Sequence, residues 1–299
     1  NQTISGYGTN VTNFANLVIA SSGTVSLTLT STTLQVNNKL TLNSGVLAGT
    51  NNIIYVIGDI YNKAAHTSSN NNGGLYLKGI TVQNISGDGN GVMGNVIINN
   101  ANGINLKDNA TINGRLTFTN GRLYIDDYLL TLGQNSSIGG TPNANKMIML
   151  NGALSDQGVR KLFPAGATAA FTLPIGVAGK YTPAVYTINA TSAAGGITVR
   201  PVNSAHPAQT DASGNELAYY WSVDTLGFAN DLNVTHQYSY IQTDVIGTES
   251  SYGIGLYNYK NYTWTYLGNV APYTINTTTN VIQLDNVPFV GGEYTIGYP

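Results

Sequence analysis

Residues 104–132 read INLKDNATINGRLTFTNGRLYIDDYLLTL. The apolar runs INL, ATI, LTF, LYI and LLTL are three or four residues long, and Asn, Gly or an Asp-Asp pair separates them. Runs this short cannot bury a face alone, because an isolated pair of strands is marginal in water. Like units stacked above and below supply the missing cover, so the stretch reads as a rung of a β-solenoid.

The same texture extends upstream. Between Asn16 and Leu47 come NLVIA, VSLTL, LQV, LTL and VL, with alternation such as Leu27 and Leu29 against Thr28 and Thr30. A period of two over such lengths is a strand signal, not a helical face. An internal repeat supports the reading, since VNNKLTLNSGVL (36–47) lines up with INGRLTFTNGRL (112–123). The offset of 76 residues between Val36 and Ile112 is too long for one rung, which puts several coils between the copies. NKAAHTSSNNNGG (62–74) reads as a polar loop leaving the stack, and SGDGNGVMG (86–94) as a second, glycine-rich insertion. LYLKGITV (75–82) and VII (96–98) return to strand, and MIML (147–150) is the last strand before a charged junction. The solenoid is therefore expected over residues 1–160.

Residues 161–299 carry longer strands with aromatic alternation: PAVYTI, GITVRPV, ELAYYWSV, NVTHQYSYI, YGIGLYNY, YTWTYL, NVIQL and EYTIG. Leu217, Tyr219, Trp221 and Val223 share one strand face, as do Val234, His236, Tyr238 and Tyr240. Tyr257 and Tyr259 on one side, and Tyr262, Trp264 and Tyr266 on the other, flank a predicted hairpin turn at Lys260-Asn261. Strands in this number and spacing predict an antiparallel β-sandwich. The expected class is all-β: a right-handed parallel β-solenoid (β-helix) followed by that sandwich.

Composition narrows the function. Hydrophobic residues make up 42% of the 299 residues and charged residues only 9%, against roughly 25% charged in an ordinary soluble domain. Solubility then rests on Asn, Thr, Ser, Gly and Tyr hydroxyls, a surface suited to the outside of a cell. The net charge of −2 and the 12 scattered basic residues argue against nucleic acid, which needs clustered cations. Cysteine is absent, which removes disulfides, thiolate catalysis and Cys-type zinc sites. No apolar run approaches a membrane span. The opening NQTISGYG is not an export peptide, so a mature or excised segment is expected, and the strand-like close GGEYTIGYP suggests a further domain beyond it.

Candidate chemistry is sparse. Asp126-Asp127 is the tight acidic pair of the solenoid, readable either as a catalytic pair for acidic polysaccharides or as a solvated turn. Arg115 and Arg122 bracket LTFTNG and read as exposed gatekeepers of the strands. Asp88 and Asn90 offer oxygen ligands at i, i+2 spacing for a structural calcium ion (Ca2+), the one cofactor suggested, although no Glu follows at the EF-hand distance; the competing reading is a plain glycine-rich turn. His66, His206 and His236 lie far apart, with no HExxH spacing and no nucleophile elbow. The Tyr-rich strands could stack on sugar rings. Alternation places Trp221 in the core, whereas Trp264, with Tyr262 and Tyr266, is the exposed binding candidate. Outward threonines (Thr28, Thr30, Thr41, Thr117) are as consistent with strand propensity as with an ice-ordering ladder.

LFPAGATAAFTLPIGVAGKYTPAVYTI (162–188), GITVRPVNSAHP (196–207), ELAYYWSVDTLGF (216–228) and VPFVGGEYTIG (287–297) resemble a module of very large exported surface proteins of Bacteroidota. In these a filamentous-haemagglutinin-like β-helix precedes a β-sandwich, further repeats and a sorting domain of the type 9 secretion system. The resemblance implies a secreted, adhesin-like or structural surface protein, not an enzyme, whose partners are surface polysaccharide, protein or further copies of itself. It also implies engagement of the secretion machinery through a sorting domain outside this sequence. Glycoproteins of the same group are modified at Asp-Ser/Thr-apolar motifs, which Asp224-Thr225-Leu226 matches, so Thr225 is the expected O-glycosylation site. The rival expectation is a polysaccharide-binding or polysaccharide-cleaving β-helix.

Overall fold

The computed structural model describes residues 2–8, 11–30, 33–69, 72–209 and 214–298. The chain divides into two units, residues 1–149 and 150–299.

The first unit is a parallel β-solenoid of about six turns with three strand series. Its first face stacks Leu34, Ile54, Leu75, Val96, Leu116 and Ile138 in register, at 20 to 22 residues per coil. The second stacks Leu40, Ile60, Ile85 and Leu106, and the third joins Leu47 to His66 and Met93 to Ile112 and Leu132. Nearly all of these side chains are fully buried. Alternation inside each short run points one residue inward for each one outward, and the neighbouring coil covers what the run cannot.

Residues 104–132 prove to be more than one rung. They supply five strands, Ile104–Leu106, Ala110–Ile112, Arg115–Asn120, Leu123–Asp126 and Leu130–Leu132, which is one coil and two thirds of the next. The internal repeat is also out of phase with the coil. Val36 lies on the first face beside Val56, whereas Ile112 lies on the third between Met93 and Leu132. What recurs is a strand–corner–strand unit, and its two copies start on different faces of the coil.

The expected insertions need correction. Inside 62–74, Ala65–Ser68 is a rung strand paired with Val46–Thr50, and beyond it the Asn72 N–H donates to the Ser69 carbonyl at 3.0 Å. Inside 86–94, Val92–Met93 is likewise a third-face strand. The longer corner is 78–82, which the alternation of KGITV suggests as strand. Strand Gly74–Leu77 ends before it, and Ile80 and Val82 stand exposed there.

Corners are held by buried amides. The Gln83 Nε2 donates to the Val56 and Gly58 carbonyls (3.1 and 2.6 Å), and its Oε1 accepts from the Gly79 N–H and the Asn100 Nδ2. Asn95 accepts the Arg115 N–H and donates to the Asn72 and Gly73 carbonyls. Gly121 takes a left-handed φ of 89°, and a Cβ there would collide with the Asn100 carbonyl oxygen, which explains why a tight Asn-Gly corner is used.

Within the second unit, strand Val159–Phe163 pairs antiparallel with Gly195–Val202. Gly195–Val202, Tyr220–Leu226, Gly292–Gly297, Gly253–Asn258 and Thr263–Gly268 follow one another as antiparallel neighbours. A separate five-stranded antiparallel sheet is ordered Phe171–Leu173, Ala184–Ala190, Asn233–Ser239, Val281–Val287, Tyr273–Asn276. Rings from the two sets meet: Trp221 lies 5.3 Å from Tyr238, and Tyr294 lies 5.2 Å from it. All three are wholly buried.

Candidate functional site

Strand Gly292–Gly297 lies between Tyr220–Leu226 and Gly253–Asn258, with Val223 opposite Gly292 and Tyr257 opposite Glu293. The loops at the matching ends of these strands therefore converge. They enclose a cavity of about 410 Å3, whose walls come from the 225–232 segment, the 258–260 turn and residues 288–292. Phe228, Leu232, Pro288 and Val290 give it an apolar lining, while Thr225, Asn230, Asn258, Tyr259 and Lys260 supply polar groups. Concave apolar surface with a few convergent polar groups is the common form of a small-ligand site.

One of these groups, Tyr259, is held in place by a neighbouring ion pair. The Arg200 guanidinium pairs with the Asp224 carboxylate and donates to the Ser222 hydroxyl at 3.3 Å. The Tyr259 hydroxyl donates to the other Asp224 oxygen at 2.8 Å, which fixes the phenol over the cavity while leaving it 40% exposed. That hydrogen bond, followed by partial burial, pushes the phenol's pKa up. Lys260 is exposed, and its ammonium makes no ion pair among the described residues.

The expected aromatic platform is rearranged. The predicted hairpin forms between Gly253–Asn258 and Thr263–Gly268, with Tyr257 opposite Trp264. Tyr262 and Tyr266 are exposed, at 78% and 56%. Trp264 is not a free platform. Its indole N–H donates to the Ala208 carbonyl at 3.0 Å, and its ring packs 4.7 Å from His206 and 5.0 Å from Tyr257. Three aromatic rings thus enclose His206, the third being Tyr220 at 4.7 Å.

The His206 Nδ1 accepts the Ala208 N–H at 3.1 Å, which leaves Nε2 to carry the proton toward the Glu293 carboxylate at 2.8 Å. Both partners are buried. Beside them, burial and the nearby Glu293 push the Tyr220 phenol up to about 12. No local signal announces this pair, because 87 positions separate its members. The Asp224-Thr225-Leu226 motif does mark one wall of the cavity: Thr225 is exposed at its edge.

Other candidates resolve into turns. The Asn90 N–H donates to the Asp88 Oδ1 at 3.1 Å and its amide to the Asp88 carbonyl at 3.3 Å, so the two proposed calcium ligands form an Asx turn. Among the described residues no group of three His, Asp or Glu side chains is gathered as for a metal. Asp126 has a left-handed φ of 46° and faces Lys107 at 3.7 Å across an exposed corner. Arg122 binds the Ala144 carbonyl and the Asn145 side chain. No helix among the described residues is long and apolar enough to cross a membrane. No protein family matches the chain, and no characterised protein or solved structure matches it.

Proposed function

We propose that the chain is a non-enzymatic module of the cell exterior, an adhesin or fibre segment. In this reading the coiled stack, right-handed in its winding, is a rigid spacer, and the second unit is a β-sandwich that contacts surface polysaccharide. The sandwich assignment is supported by the ring contacts of Trp221 and Tyr294 with Tyr238. An extracellular setting is supported by 9% charged residues and by the resemblance to exported surface proteins.

The observation that carries the reading is the cavity beside Thr225 and Tyr259. A fixed phenol, two amides and an exposed ammonium above apolar side chains offer a stacking surface and hydrogen bonds of the kind a sugar ring uses. The neighbouring carboxylates are already engaged: Asp224 by Arg200 and Tyr259, Glu293 by His206. Glycoside cleavage needs two carboxylates free to act on the bond, which favours binding over hydrolysis. A sugar on Thr225 would stand at the cavity mouth.

The test is capture of the full chain on a panel of neutral surface glycans, beside the Tyr259→Ala variant. Capture of at least one glycan is expected, weakened about tenfold in the variant, or about 1.4 kcal/mol. Equal capture by the variant, or none across the panel, overturns the reading.

A further inference from the structure

On the outward side of the first solenoid face a column of side chains runs across the coils: Tyr55, Tyr76, Ile97, Thr117 and then Gly139, paired in register. Tyr76, Ile97, Thr117 and Arg115, with Ile53 alongside, line a surface groove of about 260 Å3. The Tyr55 and Tyr76 rings stand edge to face at 5.3 Å, and the Asn99 amide donates to the Tyr76 hydroxyl at 3.0 Å, so the ring over the groove is fixed. The Lys78 ammonium lies 3.9 Å from the Tyr55 ring centroid.

Arg115 is the decisive residue. A Cβ at Gly139 would overlap its guanidinium stem and the Thr117 hydroxyl, so Arg115 lies across the glycine of the next coil. Its backbone N–H is bonded to Asn95, yet its guanidinium makes no hydrogen bond or ion pair among the described residues. The strands of this face from Ile53–Val56 through Ser137–Gly140 contain no Asp or Glu. In a chain of net charge −2, a half-buried guanidinium with no internal carboxylate leaves its fork open to an outside anion.

We propose that this groove binds an acidic polysaccharide running along the stack, with Arg115 clasping a uronate carboxylate and the Tyr76 ring packing on a sugar face. Successive coils lie about 4.8 Å apart, close to the length of one sugar unit, so a chain aligned with the stack meets Tyr55, Tyr76, Ile97 and Thr117 in turn. The site belongs to the first unit and shares no residue with the Tyr259 cavity.

Calorimetry of the full chain with galacturonate oligomers tests it, with dextran and poly-glutamate as controls. Galacturonate binding that weakens with salt is expected. Arg115→Ala should lower affinity about tenfold or more, Arg115→Lys less, and Tyr76→Ala clearly, while Tyr259→Ala leaves it unchanged. Because the guanidinium has no internal partner, the Arg115→Ala melting temperature should match that of the parent, which excludes misfolding as the cause. Absence of galacturonate binding, equal affinity in Arg115→Ala, or equally tight poly-glutamate binding each overturns the proposal. Loss in Tyr259→Ala but not in Arg115→Ala would move acidic glycans to the cavity, contradicting this inference and leaving the proposed function intact.

Discussion

At the residue scale, the histidines behave as core side chains whose cost depends on pH. His66 is 1% exposed in the third-face stack, with its Nδ1 accepting the Gly94 N–H, and burial holds its pKa down to about 4. His236 is enclosed by Tyr186, Tyr238 and Tyr294 and is held down to about 3, again chiefly by burial. An unfolded chain protonates both near their ordinary value of 6.5, while the folded chain refuses the proton. Stability is therefore complete above about pH 6.5 and falls as pH drops toward 4, by about 2 kcal/mol for each histidine at pH 5. Melting temperatures between pH 7 and 5 should show this slope in the parent chain and a shallower one in His66→Leu. An equal slope in that variant would assign the acid sensitivity elsewhere.

Elements show where sequence reading succeeds and where it stops. Period-two alternation and Asn/Gly punctuation are local, so the strands of residues 104–132 and most aromatic strands of the second unit were legible, although ELAYYWSV is broken into Glu216–Leu217 and Tyr220–Leu226. The coil phase was not, because it depends on which corner each turn occupies; Lys78 to Val82 alternates like a strand yet forms a corner, where the side chains of Gln83, Asn100 and Asn102 bond the backbone of Gly79, Thr81 and Ile80. The cavity was not legible: Thr225 was singled out only as a modification site, and Tyr259 and Lys260 reach the cavity only through sheet pairing. Trp264 was misplaced for the same reason, since its partner His206 comes from a distant loop. Gln83 supplies a test of the corner argument. It sits in an inward stack opposite Ile104 and makes four hydrogen bonds, one inside its own corner and three to neighbouring coils. Gln83→Leu should lower stability by about 2–4 kcal/mol in denaturant unfolding although it adds apolar surface, because it orphans the buried Gly79 N–H and one N–H of the Asn100 amide. A neutral or stabilising result would show that the corner does not depend on this network.

For the whole molecule, stability rests on stacking and ring packing without disulfides, and the surface relies on neutral polar groups in place of charge. In the cavity of the second unit and in the groove of the solenoid, hydrogen-bonded aromatic rings stand beside polar groups. Hydrogen exchange of the full chain, free and saturated with a neutral glycan captured in the panel, tests the central claim most directly. Slowed exchange confined to residues 225–232, 258–260 and 288–292 is the predicted result. Protection spread over the solenoid coils with those loops unchanged would contradict the assignment of the second unit as the contacting surface.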